Sequence, residues 1–279
     1  MNNIKLVALD LDGTLFDNQS RISENNLAQI RRVSEEGVHV VISTGRPFAG
    51  LPFDQIKNSG IRYAITANGS AIYDIDRRIC LYQNCMSPDI TLPIIKFLQG
   101  KEIHMDAFID GVGYSQHNCL HVAEKLDMHP SLKNYILYTR KRVDDLYVYV
   151  KDNNLQIQKM TLNFMPDGNG GHVDRDAVLE FLNNNPKVNT VCGGYSNLEF
   201  TKASVDKGQG LLALAEILGI KQSETMAVGD TENDLAIIRS AHIGVAMGNA
   251  TAEVKAAANY CTGDNNHDGV AMAIAHFVE

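Results

Sequence analysis

The chain has 279 residues and a mass of 30.7 kDa, with 44% apolar and 21% charged residues. At roughly 150 residues per domain this suggests about two domains, and so ordinary a composition excludes disordered, collagen-like and low-complexity classes. With 25 Lys+Arg against 33 Asp+Glu the net charge is -8. No local basic patch relieves it, so nucleic acid is not an expected partner, whereas a small phosphorylated ligand needs only one or two fixed cations.

No apolar run approaches the roughly 20 residues that span a bilayer, so no membrane partner is expected. The start, Met1-Asn2-Asn3-Ile4-Lys5, lacks the basic end, apolar stretch and cleavage site of a signal peptide. The five cysteines (Cys80, Cys85, Cys119, Cys192, Cys261) are scattered without a C-x-x-C pair. Reduced thiols and a cytoplasmic location are the expectation.

Ile4–Leu9 is a short apolar run that reads as a buried strand, with Asp10 at its end. Leu27, Ile30 and Val33 recur at helical spacing within Ser23–Glu36, where Ser23 is the expected N-cap and Gly37 the stop. Val38–Ile42 is a second strand, ending in Ser43-Thr44-Gly45-Arg46, and Tyr63–Thr66 a third, ending in Ala67-Asn68-Gly69. Strands alternating with helices argue for a parallel sheet with crossover helices. The same grammar returns late in the chain: helix Gly208–Leu218, strand Thr225–Gly229, helix Asp234–Ala241, strand Ile243–Met247, then helices Thr251–Ala258 and Val270–Val278.

The middle reads differently. Helical patterns at Ile90–Leu98 and Val173–Asn183 mix with strand-like runs at His104–Ile109, Leu146–Val150 and Lys159–Phe164. The expected architecture is an α/β protein: a doubly wound, Rossmann-like parallel-sheet core from residues 1–83 and 191–279, interrupted by an inserted α+β domain over residues 84–190.

Ligands of open parallel sheets bind at the carboxyl ends of the strands. There the sequence puts Asp10-Leu11-Asp12-Gly13-Thr14-Leu15, Ser43-Thr44-Gly45-Arg46, Lys207 ahead of a helix, and Gly229-Asp230-Thr231-Glu232-Asn233-Asp234. Four carboxylates in one crevice repel one another unless a cation is present. A hard divalent ion with oxygen ligands resolves the conflict, and Mg²⁺ is the usual one beside a phosphate. Lys207 and Thr44 add a fixed positive charge and a hydroxyl, the parts needed to hold a phosphoryl group during transfer.

Asp10-x-Asp12-Gly13-Thr14-Leu15, Thr44-Gly45-Arg46, Lys207-Gly208 and Gly229-Asp230-x-x-Asn233-Asp234 resemble, in order, the four motifs of the haloacid dehalogenase-like (HAD) hydrolases. The stretches Ser43–Gly50 and Asp110–Gln116 are most similar to the Cof-type sugar phosphatases, in particular the YidA-like members. The resemblance implies a Mg²⁺-dependent phosphatase of small phosphorylated metabolites, with sugar phosphates as the expected substrates. Asp10 would be the nucleophile and Asp12 the general acid/base. Asp10, the Asp12 backbone carbonyl and Asp230 would hold the metal, with Asp234 behind them. Leu11, Thr44, Gly45, Lys207 and Asn233 would bind phosphate, and Arg46 and Asn68 could face the substrate.

Only 31 residues separate Asp12 from Thr44, but 162 separate Thr44 from Lys207, so the insert fits the large α/β cap class of that family. A cap would exclude water and contribute to specificity. Two rival readings are a sugar phosphomutase of the same superfamily and a non-catalytic phospho-acceptor module; the whole-chain likeness favours the hydrolase. Elsewhere, His117 and His121 have the spacing of a zinc pair but no third ligand, and Asp167–Gly171 reads as a hairpin loop, not a calcium loop. Arg140-Lys141-Arg142 reads as a solvated, locally balanced stretch.

Overall fold

Leu6–Leu9 forms the central strand β1, and all four side chains are buried, so both faces of the sheet are covered. Burial on this scale contributes roughly 1.5–3 kcal/mol per large apolar side chain. The computed structural model describes residues 3–126, 130–192 and 197–278. The chain divides into two units, Met1–Gln83 with Asp206–Glu279, and Asn84–Val205.

In the first unit β1 is followed by helix α1 (Glu24–Glu35), β2 (His39–Ser43), the short α2 (Phe53–Ile56), β3 (Tyr63–Thr66), β4 (Ala71–Asp74) and β5 (Ile79–Gln83). As expected, Ser23 caps α1, its Oγ accepting the Asn26 N–H at 3.1 Å. The insert is built from α3 (Pro88–Leu98), β6 (Ile103–Ile109), β7 (Val112–Gln116), α4 (Leu120–Lys125), α5 (Pro130–Thr139), β8 (Lys141–Val143), α6 (Leu146–Asp152), β9 (Lys159–Phe164), α7 (Arg175–Asn183), β10 (Val188–Cys192) and β11 (Leu198–Lys202). The first unit resumes with α8 (Lys207–Leu218), β12 (Thr225–Gly229), α9 (Leu235–Ser240), β13 (Ile243–Ala246), α10 (Ala252–Ala257), β14 (Tyr260–Cys261) and α11 (Gly269–Phe277).

The sheet of the first unit has the order β14-β13-β12-β1-β2-β3-β4-β5. Six strands are parallel, as the alternating pattern implied, while β4 and β5 add an antiparallel edge. The reversal after β3 uses left-handed backbone at Asn68 (φ 55) and Gly69 (φ 97). A Cβ on Gly69 would sit 2.0 Å from the Asp206 carbonyl oxygen, so the turn admits no side chain there.

The insert carries its own six-stranded sheet, β10-β11-β9-β6-β7-β8, antiparallel except for β7 with β8. Side chains alternate in the two-residue period of a strand. Met105, Ala107, Met160, Leu162, Leu198 and Phe200 share a core with Ile94, Ile95, Leu98, Leu146, Val178 and Leu182 of α3, α6 and α7. Most alternate positions are polar yet buried, and their charges are paired: Asp106 with Arg140 at 2.7 Å and Lys159 with Glu199 at 2.6 Å.

Three expectations change here. The chain returns to the first unit at Asp206, not at residue 191, because β10 and β11 pair with each other and β11 with β9. Leu146–Val150 is helical: Asp145 caps it by accepting the Val148 N–H at 2.9 Å, and burial of Leu146 and Val150 overrides the strand preference of a Tyr/Val-rich run. Arg140 is not a solvated residue but the buried partner of Asp106. Asp167 Oδ1 accepts the N–H groups of Asn169 and Gly171, closing the expected hairpin loop on itself.

Gly69→Ala should destabilise the protein by about 2 kcal/mol or more, through the left-handed backbone and the clash together. Urea unfolding would show a lower midpoint at unchanged slope; an unchanged midpoint would mean that the turn rearranges freely.

Candidate active site

The sheet register builds the site. Leu9 pairs with Ile42 on one side and Val228 on the other, so Asp10, Ser43 and Gly229 lie level at the carboxyl ends of three neighbouring strands. Adjacent strands are about 4.8 Å apart, which brings the next residues, Thr44 and Asp230, within reach of Asp10. The Asp10 N–H is itself fixed on the Val228 carbonyl at 3.0 Å.

Lys207 enters from the first turn of α8, whose N-cap is Asp206, accepting the Gln209 N–H at 2.8 Å. Its side chain is wholly buried, and Nζ donates to Asp10 Oδ1 at 2.6 Å, Asp234 Oδ1 at 2.6 Å and Asn233 Oδ1 at 3.3 Å. The other oxygen of Asp234, Oδ2, accepts the N–H groups of Asp230 (3.0 Å) and Thr231 (3.1 Å), so both its oxygens are committed to holding the loop. Thr14 Oγ1 donates to Asp230 Oδ1 at 3.0 Å. Gly13, in left-handed backbone, lets the strand-end turn pass Asp230, because a Cβ there would lie 2.4 Å from Asp230 Oδ2.

Carboxylate oxygens of Asp10, Asp230 and Asp234 all lie within 4.8 Å of one another, the one such group of potential metal ligands among the described residues. The histidines at 117 and 121 therefore join no group of this kind. One lysine faces three buried acids. Burial raises the Asp10 carboxyl well above its ordinary range, and the Asp234 and Asp230 charges add to this against the pull of Lys207. Burial and then Asp234 push Asp230 up to about 7. Burial alone would lower Lys207, but Asp10 and Asp234 outweigh it and keep the ammonium charged. The donor set is all oxygen with an excess of negative charge, which suits a hard divalent cation.

Asp12 points elsewhere. Its carboxylate is half-exposed and gripped in bidentate fashion by Arg46, through Nη2 at 2.5 Å and Nε at 2.8 Å. The Arg46 guanidinium also donates to the Gly50 carbonyl at 3.3 Å and lies 5.2 Å from the Phe16 ring centroid. Arg46, expected near the substrate, is thus placed on the expected acid/base. Thr44 is buried at the end of β2, its Oγ1 accepting the Arg46 N–H at 3.2 Å, with Gly45 between them. Asn68, also buried, donates its backbone N–H to the Thr44 carbonyl at 3.2 Å, which joins the β3 turn to the β2 turn.

The site residues expected from the sequence all belong to the first unit; Asp10, Asp230, Asp234, Asn233 and Lys207 meet at the strand ends, while the Asp12 carboxylate is turned to Arg46. Sequence reasoning missed Thr14 as the partner of Asp230, although it stands inside the quoted motif. It also missed Asn249 and Asn265, which bond the Gly13–Phe16 turn and carry no motif of their own.

The sequence profile of the haloacid dehalogenase-like hydrolases matches residues 7–274. The chain belongs to this family. It is 31% identical to a 5-amino-6-(5-phospho-D-ribitylamino)uracil phosphatase of Bacillus subtilis, over 99% of this chain and 96% of that one. It is 28% identical to a pyridoxal phosphate phosphatase of Escherichia coli, over 97% of each. A solved haloacid dehalogenase-like hydrolase from B. subtilis superposes with a TM-score of 0.85 at 26% identity, covering 99% of this chain and all of that one. No helix among the described residues is long and apolar enough to cross a membrane.

The raised acids set a pH dependence. A carboxyl whose pKa is higher in the folded than in the unfolded protein contributes most stability below its unfolded value, and that contribution is lost as pH rises through the folded value. With Asp230 moved from 3.8 to about 7, metal-free protein should lose stability between about pH 4 and pH 7 on this account. Thermal melts in EDTA across that range, compared with an Asp230→Asn variant in which the slope is reduced, would check it. Identical slopes in the two proteins would rule out Asp230 as the source.

Proposed function

We propose that the protein is a Mg²⁺-dependent phosphatase of small phosphorylated metabolites, with sugar phosphates and similar phosphorylated polyols as the substrate class. The family and the names of its relatives support a phosphoric monoester hydrolase. The observation that carries the finer reading is the Lys207 ammonium held between Asp10 and Asp234 at the strand ends, with Asp230 adding uncompensated negative charge.

In this reading Asp10, Asp230 and the Asp12 backbone carbonyl hold the metal, and Asp234 stays behind them, its oxygens occupied by Lys207 and two backbone N–H groups. The ion would neutralise the acid cluster and draw charge from the phosphoryl oxygens. Lys207, Thr44, Asn233 and the N–H groups of Leu11 and Gly45 would hold the phosphate, a role favoured by their placement around Asp10. One oxygen of Asp10 attacks phosphorus, forming an aspartyl-phosphate as the ester P–O bond breaks. Asp12 gives its proton to the departing alcohol oxygen. It then takes a proton from the water that attacks the aspartyl-phosphate, which releases inorganic phosphate and restores the Asp10 carboxylate.

Arg46 holds both oxygens of the Asp12 carboxylate, and in the second half of the cycle Asp12 acts as the base. The first half needs Asp12 protonated, and there the grip of Arg46 has to loosen. The size of the insert between Thr44 and Lys207 fits the large α/β cap class of the family.

Asp10→Asn should reduce phosphate release by at least about 10⁴-fold while circular dichroism and melting temperature stay close to wild type. EDTA should abolish wild-type turnover and Mg²⁺ restore it. The decisive measurement is Mg²⁺-dependent phosphate release over a panel of phosphorylated sugars, polyols, nucleotides and cofactors. Wild-type rates from Asp10→Asn, or turnover indifferent to EDTA, would refute the reading.

A further inference from the structure

We propose that the side-chain amides of Asn249 and Asn265 are positioning residues for Asp12, fixing the backbone of the turn from which it projects. The proposal rests on the functional reading above, in which Asp12 handles the proton.

Asn249 lies in the loop after β13. Its Nδ2 donates to the Gly13 carbonyl at 2.9 Å, and its Oδ1 accepts the Asn265 N–H at 3.1 Å. Asn265 is buried, and its Nδ2 donates both to the Phe16 carbonyl at 2.9 Å and to Asn18 Oδ1 at 3.1 Å. The two amides therefore act in series and grip the turn at the residue following Asp12 and again at Phe16. Phe16 is itself coupled to Asp12. It forms a β-bridge with it, donates its N–H to the Leu11 carbonyl at 2.8 Å, and supports the Arg46 guanidinium that binds the Asp12 carboxylate.

The same loop is tied to the opposite wall of the site. The Met247 N–H bonds the Gly229 carbonyl and the Thr251 N–H the Asp230 carbonyl, each at 3.0 Å. One short segment thus sets the Asp12 turn against the Asp230 strand end. An amide offers a donor and an acceptor together at these places, whereas alanine has neither and aspartate has no donor. Asp10 shares one bond with this turn, its carbonyl accepting the Leu15 N–H at 3.2 Å, but its own N–H and carboxylate are anchored elsewhere, on the Val228 carbonyl and Lys207. Loss of the amides should therefore displace Asp12 with little effect on Asp10.

The effect has a signature that general loosening lacks. An alkyl phosphate needs a proton delivered to its departing oxygen, whereas 4-nitrophenyl phosphate expels a stable anion without one. The experiment compares kcat/KM, which reports the steps up to departure of the alcohol, for a hexose 6-phosphate and for 4-nitrophenyl phosphate. It uses full-length wild type, Asn249→Ala, Asn249→Asp, Asn265→Ala and Asp12→Asn in saturating Mg²⁺.

In the Asn249 and Asn265 variants the hexose ester should lose about tenfold to a hundredfold and the aryl ester less than about threefold, the scale of a catalytic group misplaced by an ångström. Asn249 is exposed, so its variants keep the test sound if Asn265→Ala folds poorly. Equal losses on the two esters, or no loss on either, overturn the proposal. Asp12→Asn should show the same preference for the aryl ester, more strongly. If it slows both esters alike, the acid–base reading itself has failed and the proposal falls with it, which separates the two failures.

Discussion

A buried ammonium between two carboxylates organises this protein's chemistry. Lys207 sits at the start of a helix, out of contact with water, 2.6 Å from Asp10 and 2.6 Å from Asp234. Removing three charges from water is expensive, and each is tolerable only because the others are in place with their hydrogen bonds made. Asp234 satisfies this most completely, since the two oxygens of its carboxylate serve Lys207 and the loop backbone. Asp10 and Asp230 are left with the surplus of negative charge. The arrangement thus combines a rigid frame with an excess of buried acidic groups at one place.

Much of this was legible in the sequence because the parallel sheet obeys simple rules. Short apolar runs ending in Asp10, in Ser43-Thr44 and in Gly229-Asp230 had to be strands, and parallel strands in register present their ends side by side. Lys207 was legible from its place just ahead of a helix, with Gly208 after it. The antiparallel strands β4 and β5 were not read from the sequence, since the reversal from β3 into β4 depends on left-handed backbone at Asn68 and Gly69. Within the insert, the Tyr/Val-rich stretch after Asp145 was misleading because composition favoured a strand while the cap and the buried face made a helix.

What the sequence withheld was mostly pairing at long range. Nothing local announces that Arg46 will chelate Asp12, that Arg140 will be buried on Asp106, or that Asn265 will reach the Phe16 carbonyl. Each contact joins residues far apart in the chain or on different loops, and each depends on side-chain directions that periodicity does not encode. Motif reasoning identifies the groups that do chemistry. The groups that hold them still are ordinary polar residues, and they become visible only through their bonds.

The points where the chain leaves and re-enters the first unit have an evolutionary consequence. It departs after Gln83 and returns at Asp206, one residue before Lys207, and the Asp206 carboxylate secures the opening turn of α8. A lineage could therefore lengthen, shorten or exchange everything between those two seams and still deliver the lysine to its socket, since its placement is encoded downstream of the splice. Such a layout lets the insert diverge while the strand-end residues are inherited intact.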